Sequence, residues 1–226
     1  MDAVIKVGGS LSENPEDLKT LGAELCCLAK RHHFVVVPGG GKFADAVRDL
    51  DAKFALPAAV AHRMAILAMD QYGLLLSQVI PECGTCDSLE EAERLSEMEK
   101  AAVFLPSKLL FQDDPFEPSW DVTSDSIAAY IALRLNVAKT IFVTNVDGIF
   151  TKDPKKHADA VLLNEVSVGE LLRLSSRTSV DKFLPNFLIE QPAECYVVNG
   201  EHPERIGKIL SGQSAICTHI LQQTHT

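Results

Sequence analysis

No stretch of this sequence approaches the roughly 20 consecutive apolar residues that a membrane-spanning helix needs. The opening residues Asp2-Ala3-Val4-Ile5-Lys6-Val7 lack a basic segment followed by an apolar one, so no secretory signal is read there, and a cytoplasmic protein without a membrane partner is expected. Basic charge is scarce: 21 lysines and arginines stand against 31 acidic residues, for a formal net charge of −10. Such a chain repels the phosphate backbone and is not expected to bind nucleic acid; any phosphate site must be local, built from a few lysines and backbone amides. Low-complexity tracts are missing, so disorder is expected only at the ends, with Gln222 to Thr226 read as a frayed tail. A Walker A loop is missing, because Gly41-Lys42 is followed by Phe43 and not by a hydroxyl residue. The acidic spacing of an EF-hand is missing as well. Cysteine is present six times, at positions 26, 27, 83, 86, 195 and 217, and Cys83-Gly84-Thr85-Cys86 matches C-x-x-C. No second ligand pair stands at zinc spacing, and the motif follows a helix end instead of opening a helix, so no metal or redox site is expected.

What is there is a 226-residue chain with 46% hydrophobic residues, enough for one substantial core and one domain over 1–226. Short apolar runs (Val4 to Val7, Phe34 to Val37, Ala102 to Leu105, Thr140 to Thr144, Tyr196 to Val198, Ala215 to His219) read as strands. Helical spacing of apolar residues appears over Pro15 to Arg31, Lys42 to Asp51, Pro57 to Ile80, Ser88 to Lys100, Ser124 to Leu135, Val168 to Leu174, Leu184 to Glu190 and Pro203 to Leu210. Strands alternating with helices predict a mostly parallel sheet with helices on both faces.

Two strand–glycine–helix units lie near the start: Lys6-Val7-Gly8-Gly9-Ser10 and Val37-Pro38-Gly39-Gly40-Gly41. Parallel sheets bind ligands outside the carboxyl ends of their strands, so both loops are expected on one rim, each offering amides to an oxyanion. Gly39 to Ala44 also fits the G-x-G-x-x-A dinucleotide fingerprint, but the acidic residue expected about 20 positions on is missing. Lys6 interrupts an apolar strand just before a glycine loop. It is either an edge lysine reaching solvent or a buried cation needing an anion. Thr123-Ser124-Asp125-Ser126 opens a helix; it reads as a cap by Thr123 with a carboxylate in the first turn, or Asp125 is the fixed anion for active-site lysines. Asn145-Val146-Asp147-Gly148, continuing to Lys152-Asp153-Pro154, reads by itself as a turn after a buried strand.

Taken in order, these four segments resemble the amino acid kinase superfamily, which includes acetylglutamate, aspartate, uridylate and isopentenyl phosphate kinases. The resemblance spans essentially the whole chain. It implies a three-layer αβα sandwich of the carbamate kinase-like type, with the N-terminal half on the acceptor side and the C-terminal half on the nucleotide side. It implies ATP and Mg²⁺ as cofactors, a small phosphate-bearing acceptor as partner, and a homo-oligomer. Lys6, Gly8, Gly9 and Ser10 would cradle the ATP phosphates, Asp125 would organise the lysines, and Gly39, Gly40 and Gly41 would face the acceptor. Asn145, Asp147, Gly148, Phe150, Lys152, Asp153 and Pro154 would border the nucleotide. A narrower resemblance rests on His62-Arg63-Met64-Ala65, Leu105-Pro106-Ser107-Lys108, Ser119-Trp120, Thr178-Ser179-Val180-Asp181 and Asn199-Gly200-Glu201-His202-Pro203-Glu204-Arg205. These look like the kinase family of methanofuran biosynthesis, which acts on a phosphorylated aminomethylfuran. His62, Trp120 and Ser124 then join the expected acceptor site, and Asp70 is a candidate partner for the acceptor's amine. His202 and Arg205 are read as a helix start and a surface charge, with a structural role. One departure stands out: the second catalytic lysine after a Gly-Met pair has no counterpart, leaving Lys152 or Lys182 to replace it. A uridylate or isopentenyl phosphate kinase, or a non-catalytic nucleotide-binding subunit, remain alternatives.

Overall fold

The computed structural model describes residues 1–174 and 179–222. Ala3–Val7, a fully buried run of small and β-branched residues around Lys6, forms β1. The helix after it, α1 (Pro15–Ala29), begins where the Asn14 side chain accepts from the Glu16 amide and Pro15 takes the first turn. Leu18, Leu21, Leu25 and Leu28 then bury one face of α1, each contributing about 2 kcal/mol by the usual burial scale. The chain continues through β2 (Phe34–Pro38), α2 (Gly41–Phe54), α3 (Ala58–Val79), β3 (Gly84–Cys86), α4 (Leu89–Glu97), β4 (Ala102–Phe104), α5 (Ser107–Asp113) and α6 (Ser124–Arg134). It is completed by β5 (Lys139–Thr144), β6 (Ile149–Phe150), β7 (Leu162–Leu163), β8 (Glu165–Ser167), α7 (Val168–Arg173), α8 (Leu184–Glu190), β9 (Glu194–Asn199), α9 (Glu204–Leu210) and β10 (Thr218–Leu221).

Eight strands form one sheet in the order β3-β4-β2-β1-β5-β9-β10-β8. Every neighbouring pair is parallel except β9 with β10; β6 and β7 make a separate antiparallel pair. Alternation along the strands sorts the core into two layers. Val4, Val35, Val37 and Phe142 pack with residues of α4 to α8, while Ala3, Ile5, Val7, Phe34 and Val36 pack with α1 and α9. The result is the α/β sandwich with a mostly parallel sheet that the strand–helix alternation predicts. Lys6 shares the parity of Val4, so its side chain goes to the face that α6 covers. The chain moves from β1 outward to β2, β4 and β3, then returns to β5 on the other side of β1. The topological switch point, where open α/β sheets place their ligands, therefore lies between β1 and β5.

Several local expectations change. Gly84–Cys86 is an edge strand, so Cys83 and Cys86, three positions apart, pack on opposite faces of the sheet and cannot share a metal. The last strand is Thr218–Leu221, not Ala215 to His219: pairing with β9 and β8 selects Ile220 for burial and leaves Ile216 exposed. Helix α5 and the β6–β7 pair escape the sequence patterns because both are too short to show a period. Gln223 to Thr226 lie outside the described residues, as does Thr178.

Candidate active site

The carboxyl ends of β2, β1, β5 and β9 form one rim. On it the two glycine loops meet backbone to backbone. A Cβ on Gly9 would stand 2.2 Å from both Cα and N of Gly41, and Gly41 itself has φ +52, so neither position takes a side chain without moving the loops apart. Gly39 lies beneath: its amide donates to Val7 O at 2.8 Å, and a Cβ there would press on the Gly9 amide at 2.7 Å. The Tyr72 hydroxyl, buried under the first loop, donates to Gly8 O at 3.2 Å and fixes its height.

Lys6 is not an edge lysine. Its strand is central, the residue is 8% exposed, and its Nζ lies 2.8 Å from Asp125 Oδ1. Asp125 is buried likewise and its Oδ2 accepts from the Asp181 amide at 3.0 Å. Burial pushes the Asp125 carboxyl up from its ordinary value; the Lys6 ammonium pulls it back, and the neighbouring Asp181 carboxylate adds to the rise.

The cap that Thr123 was expected to provide comes from elsewhere. Thr123 makes no side-chain cap bond. Instead the Asp181 carboxylate accepts from Thr123 N and Oγ1 at 2.9 and 3.0 Å, from Ser126 N and Oγ at 3.0 and 2.6 Å, and from Leu184 N at 2.8 Å. A carboxylate at the first turn of α6 suits the helix dipole better than a hydroxyl and ties α6 to α8. Asp125 is thereby freed from capping and left facing Lys6.

A cleft of about 270 Å³ opens beside the glycine contact. Gly9, Ser10, Gly40, Gly41, His62, Trp120 and Ser124 line it. The Trp120 Nε1 donates to Asp51 Oδ2 at 2.8 Å, and the Arg48 guanidinium lies 4.8 Å from the centre of its ring, so the indole is a fixed wall. Burial lowers the His62 pKa, with Asp114 opposing, which favours the neutral imidazole. Asp70 is not among the lining residues. Its carboxylate accepts from the Ser107 amide at 3.2 Å and from the Ser107 hydroxyl, which makes it the cap of α5. The cleft instead carries Glu13, Lys42, Asp45 and Arg48, which the motif reading missed. Lys42 had a readable signal: a lysine in the first turn of a helix opposes the dipole unless an anion binds there, and α2 has no acidic residue in that turn.

A smaller cavity of about 200 Å³ lies at the end of β5. Asn145, Phe150, Lys152, Asp153 and Pro154 line it, with Ser179 across from them. Asp147 and Gly148 do not. Asp147 pairs with Arg205, and Gly148 O accepts from Ser179 Oγ at 2.7 Å. Arg205 is thus no surface charge; it is 8% exposed. Neither proposed replacement lysine joins Lys6: Lys152 pairs with Asp159, and Lys182 pairs with Asp121 at 3.1 Å with most of its side chain in solvent. Among the described residues no group of three His, Cys, Asp or Glu side chains is arranged to hold a metal, and no helix is long and apolar enough to cross a membrane.

A sequence model described as the amino acid kinase family matches residues 1–189. The chain is 39% identical over 223 residues to the [5-(aminomethyl)furan-3-yl]methyl phosphate kinase of Methanocaldococcus jannaschii, covering 96% of this chain and 97% of that protein. The crystal structure of uridylate kinase from Archaeoglobus fulgidus superposes with a TM-score of 0.76 at 25% identity, over 98% of this chain and 100% of the other. The Thermoplasma acidophilum isopentenyl phosphate kinase product complex shares the fold, with a TM-score of 0.64 at 20% identity, over 98% of this chain and 100% of that one.

Proposed function

The chain belongs to the amino acid kinase family, and from that premise we propose that it moves the γ-phosphoryl group of ATP onto the phosphate of an aminomethylfuran-methyl phosphate, giving the diphosphate. The observation that carries this is the buried Lys6–Asp125 pair at the switch point, on the strand that runs into the first of two glycine loops in contact. Two phosphate-bearing groups held on touching loops bring donor and acceptor oxygens into line, which is most of what phosphoryl transfer asks of a protein. Lys6 neutralises charge on the transferring group, and Asp125 holds that ammonium in place. A phosphate monoester is already a nucleophile near neutral pH, so this transfer needs no general base. The N-terminal half, with Gly40, Gly41, His62, Trp120 and Ser124, takes the acceptor; the segment from Asn145 to Pro154 borders the nucleotide.

A Mg²⁺ ion would suit this site only as a companion of the nucleotide. Mg²⁺ ordinarily keeps its waters and binds through substrate phosphates with one or two carboxylates, which agrees with a donor set lacking any all-protein cage among the described residues. Bound in that way it supplies further neutralisation of phosphate charge.

The acceptor is tested by comparing kcat/KM for aminomethylfuran-methyl phosphate, UMP and isopentenyl phosphate. The furan should win by a wide margin, up to roughly 10⁴-fold where a buried polar partner is left unpaired by the wrong substrate. Equal use of UMP or isopentenyl phosphate would reduce the assignment to a kinase of unspecified phosphate acceptors. The same assay checks Lys42. Its Lys42→Ala variant should raise the acceptor KM about tenfold, the worth of one charge-assisted contact, and leave the KM for ATP within twofold. An unchanged acceptor KM would remove Lys42 from the site.

A further inference from the structure

Asp147 sits in the turn that joins β5 to β6, between Asn145 and Phe150 of the smaller cavity, yet its carboxylate turns away from that cavity. Asp147 Oδ1 lies 2.5 Å from Arg205 Nη1 and accepts from Asn199 Nδ2 at 3.2 Å. Asn199 is buried at the end of β9, and its own Oδ1 accepts from the Glu201 amide at 3.0 Å, so its side chain is held from both ends. The β9–α9 turn is in turn tied to β5, because the Gly200 amide donates to Thr144 O at 2.8 Å. On the other side Ser179 Oγ holds Gly148 O. The two central residues of the turn are therefore clamped, one to the β9–α9 corner and one to the segment before α8, while the residues flanking them line the cavity.

Arg205 is an expensive way to close a turn. Its side chain is 10% exposed, and a guanidinium this buried costs several kcal/mol unless fully paired. Burial by itself would push the Asp147 carboxyl up; the Arg205 and Asn199 bonds outweigh it and hold the group below the usual carboxylate range, so the pair stays charged across the neutral region. A turn closed merely for stability could use an asparagine or a glycine cap. An ion pair with planar, directional donors fixes position as well as closure.

We propose that Arg205, acting through Asp147, is a positioning residue for the nucleotide: the Arg205–Asp147–Asn199 cluster sets where Asn145, Phe150 and Lys152 stand against the ATP. This inference rests on the reading of the Asn145 to Pro154 segment as the nucleotide border. It gives the Asn199 to Arg205 segment a part in the reaction, although none of its side chains lines either cavity.

Calorimetric titration of ATP with Mg²⁺ into the full chain tests it, paired with steady-state kinetics on the furan phosphate. Arg205→Ala and Asp147→Asn should each raise the Kd for ATP about tenfold or more, the effect of a small misplacement of a binding segment. The acceptor KM should stay within twofold. Arg205→Lys, which keeps the charge but not the fork, should fall between. The double variant should be no worse than the worse single one, because both act through one contact. Should Arg205→Ala fail to fold, Asp147→Asn and Arg205→Lys decide, since Asp147 is partly solvated and lysine fills most of the same space. Wild-type ATP affinity in folded Asp147→Asn and Arg205→Lys overturns the inference, as do additive effects or equal losses for both substrates. A wild-type protein that binds no ATP overturns the nucleotide reading beneath it, an outcome separable from the first because no variant is then needed.

Discussion

Lys6→Ala should lower kcat by about two to four orders of magnitude, the range for removing one preorganised electrostatic stabiliser from a site of this kind. The size follows from position. The ammonium is fixed by a strand buried on both faces and by a carboxylate at 2.8 Å, so it costs no reorganisation when charge develops on the transferring group. A flexible surface lysine would be worth far less, since solvent would screen it. The loss should appear in kcat more than in the KM for ATP, because the loop amides of Gly8 to Ser10, which we propose cradle the nucleotide phosphates, are unchanged in the variant. The variant removes a buried cation and leaves Asp125 unpaired, but burial already raises that carboxyl's pKa and losing Lys6 removes a group that lowers it, so the carboxyl can be neutralised by taking up a proton. Folding should therefore survive, which circular dichroism and a melting curve would establish alongside the kinetics. Near-wild-type turnover in a folded Lys6→Ala protein would end the assignment of Lys6 to the transferring phosphoryl group.

Much of this site is readable from sequence because it is local. A lysine two positions before a glycine pair, a second glycine loop after the next apolar strand, and a parallel sheet together put both loops on one rim before any coordinate is known. The mostly parallel sheet covered on both faces also follows from the strand–helix alternation, and β1 and β2 are indeed buried along their whole length. What escaped is what joins distant residues. Asp181 caps α6 from 55 positions away, Asp70 spends its carboxylate on a hydroxyl 37 positions away, and Arg205 reaches Asp147 across 58. In one dimension Asp70 is merely a carboxylate on a long helix, and nothing marks it as the cap of α5, because α5 itself is too short to show a period. Lys42 differs in carrying a local signal, a cation at the positive end of a helix with no acidic residue in its first turn, although the Walker A pattern around it is incomplete.

Asp125→Asn separates a cap from a catalytic organiser, and the structure sharpens what it should do. Were Asp125 a cap, asparagine would serve as well and activity would hold. Its carboxylate caps nothing, however: Asp181 satisfies that end of α6, and Asp125 faces Lys6. The neutral variant leaves a buried ammonium without its counter-charge, and kcat should fall at least a hundredfold, because Lys6 is no longer held in place. Saturating ATP should raise the melting temperature of the variant more than that of the wild type, since the nucleotide phosphates supply the missing negative charge. The pH profile gives an independent reading. The folded-state pKa of Asp125 is raised above the 3.8 of a free aspartate, so the native protein holds this proton more tightly than the unfolded chain does. The contribution of this group to stability is thus greatest below the unfolded value and declines as pH rises through the folded one. Activity runs the opposite way, because only the ionised form holds Lys6. On acidification kcat should begin to fall above the ordinary carboxylate range, while the fold is still intact, and the Asp125→Asn variant should lack that limb. A variant that keeps wild-type kcat and the same acid limb would return Asp125 to a purely structural part.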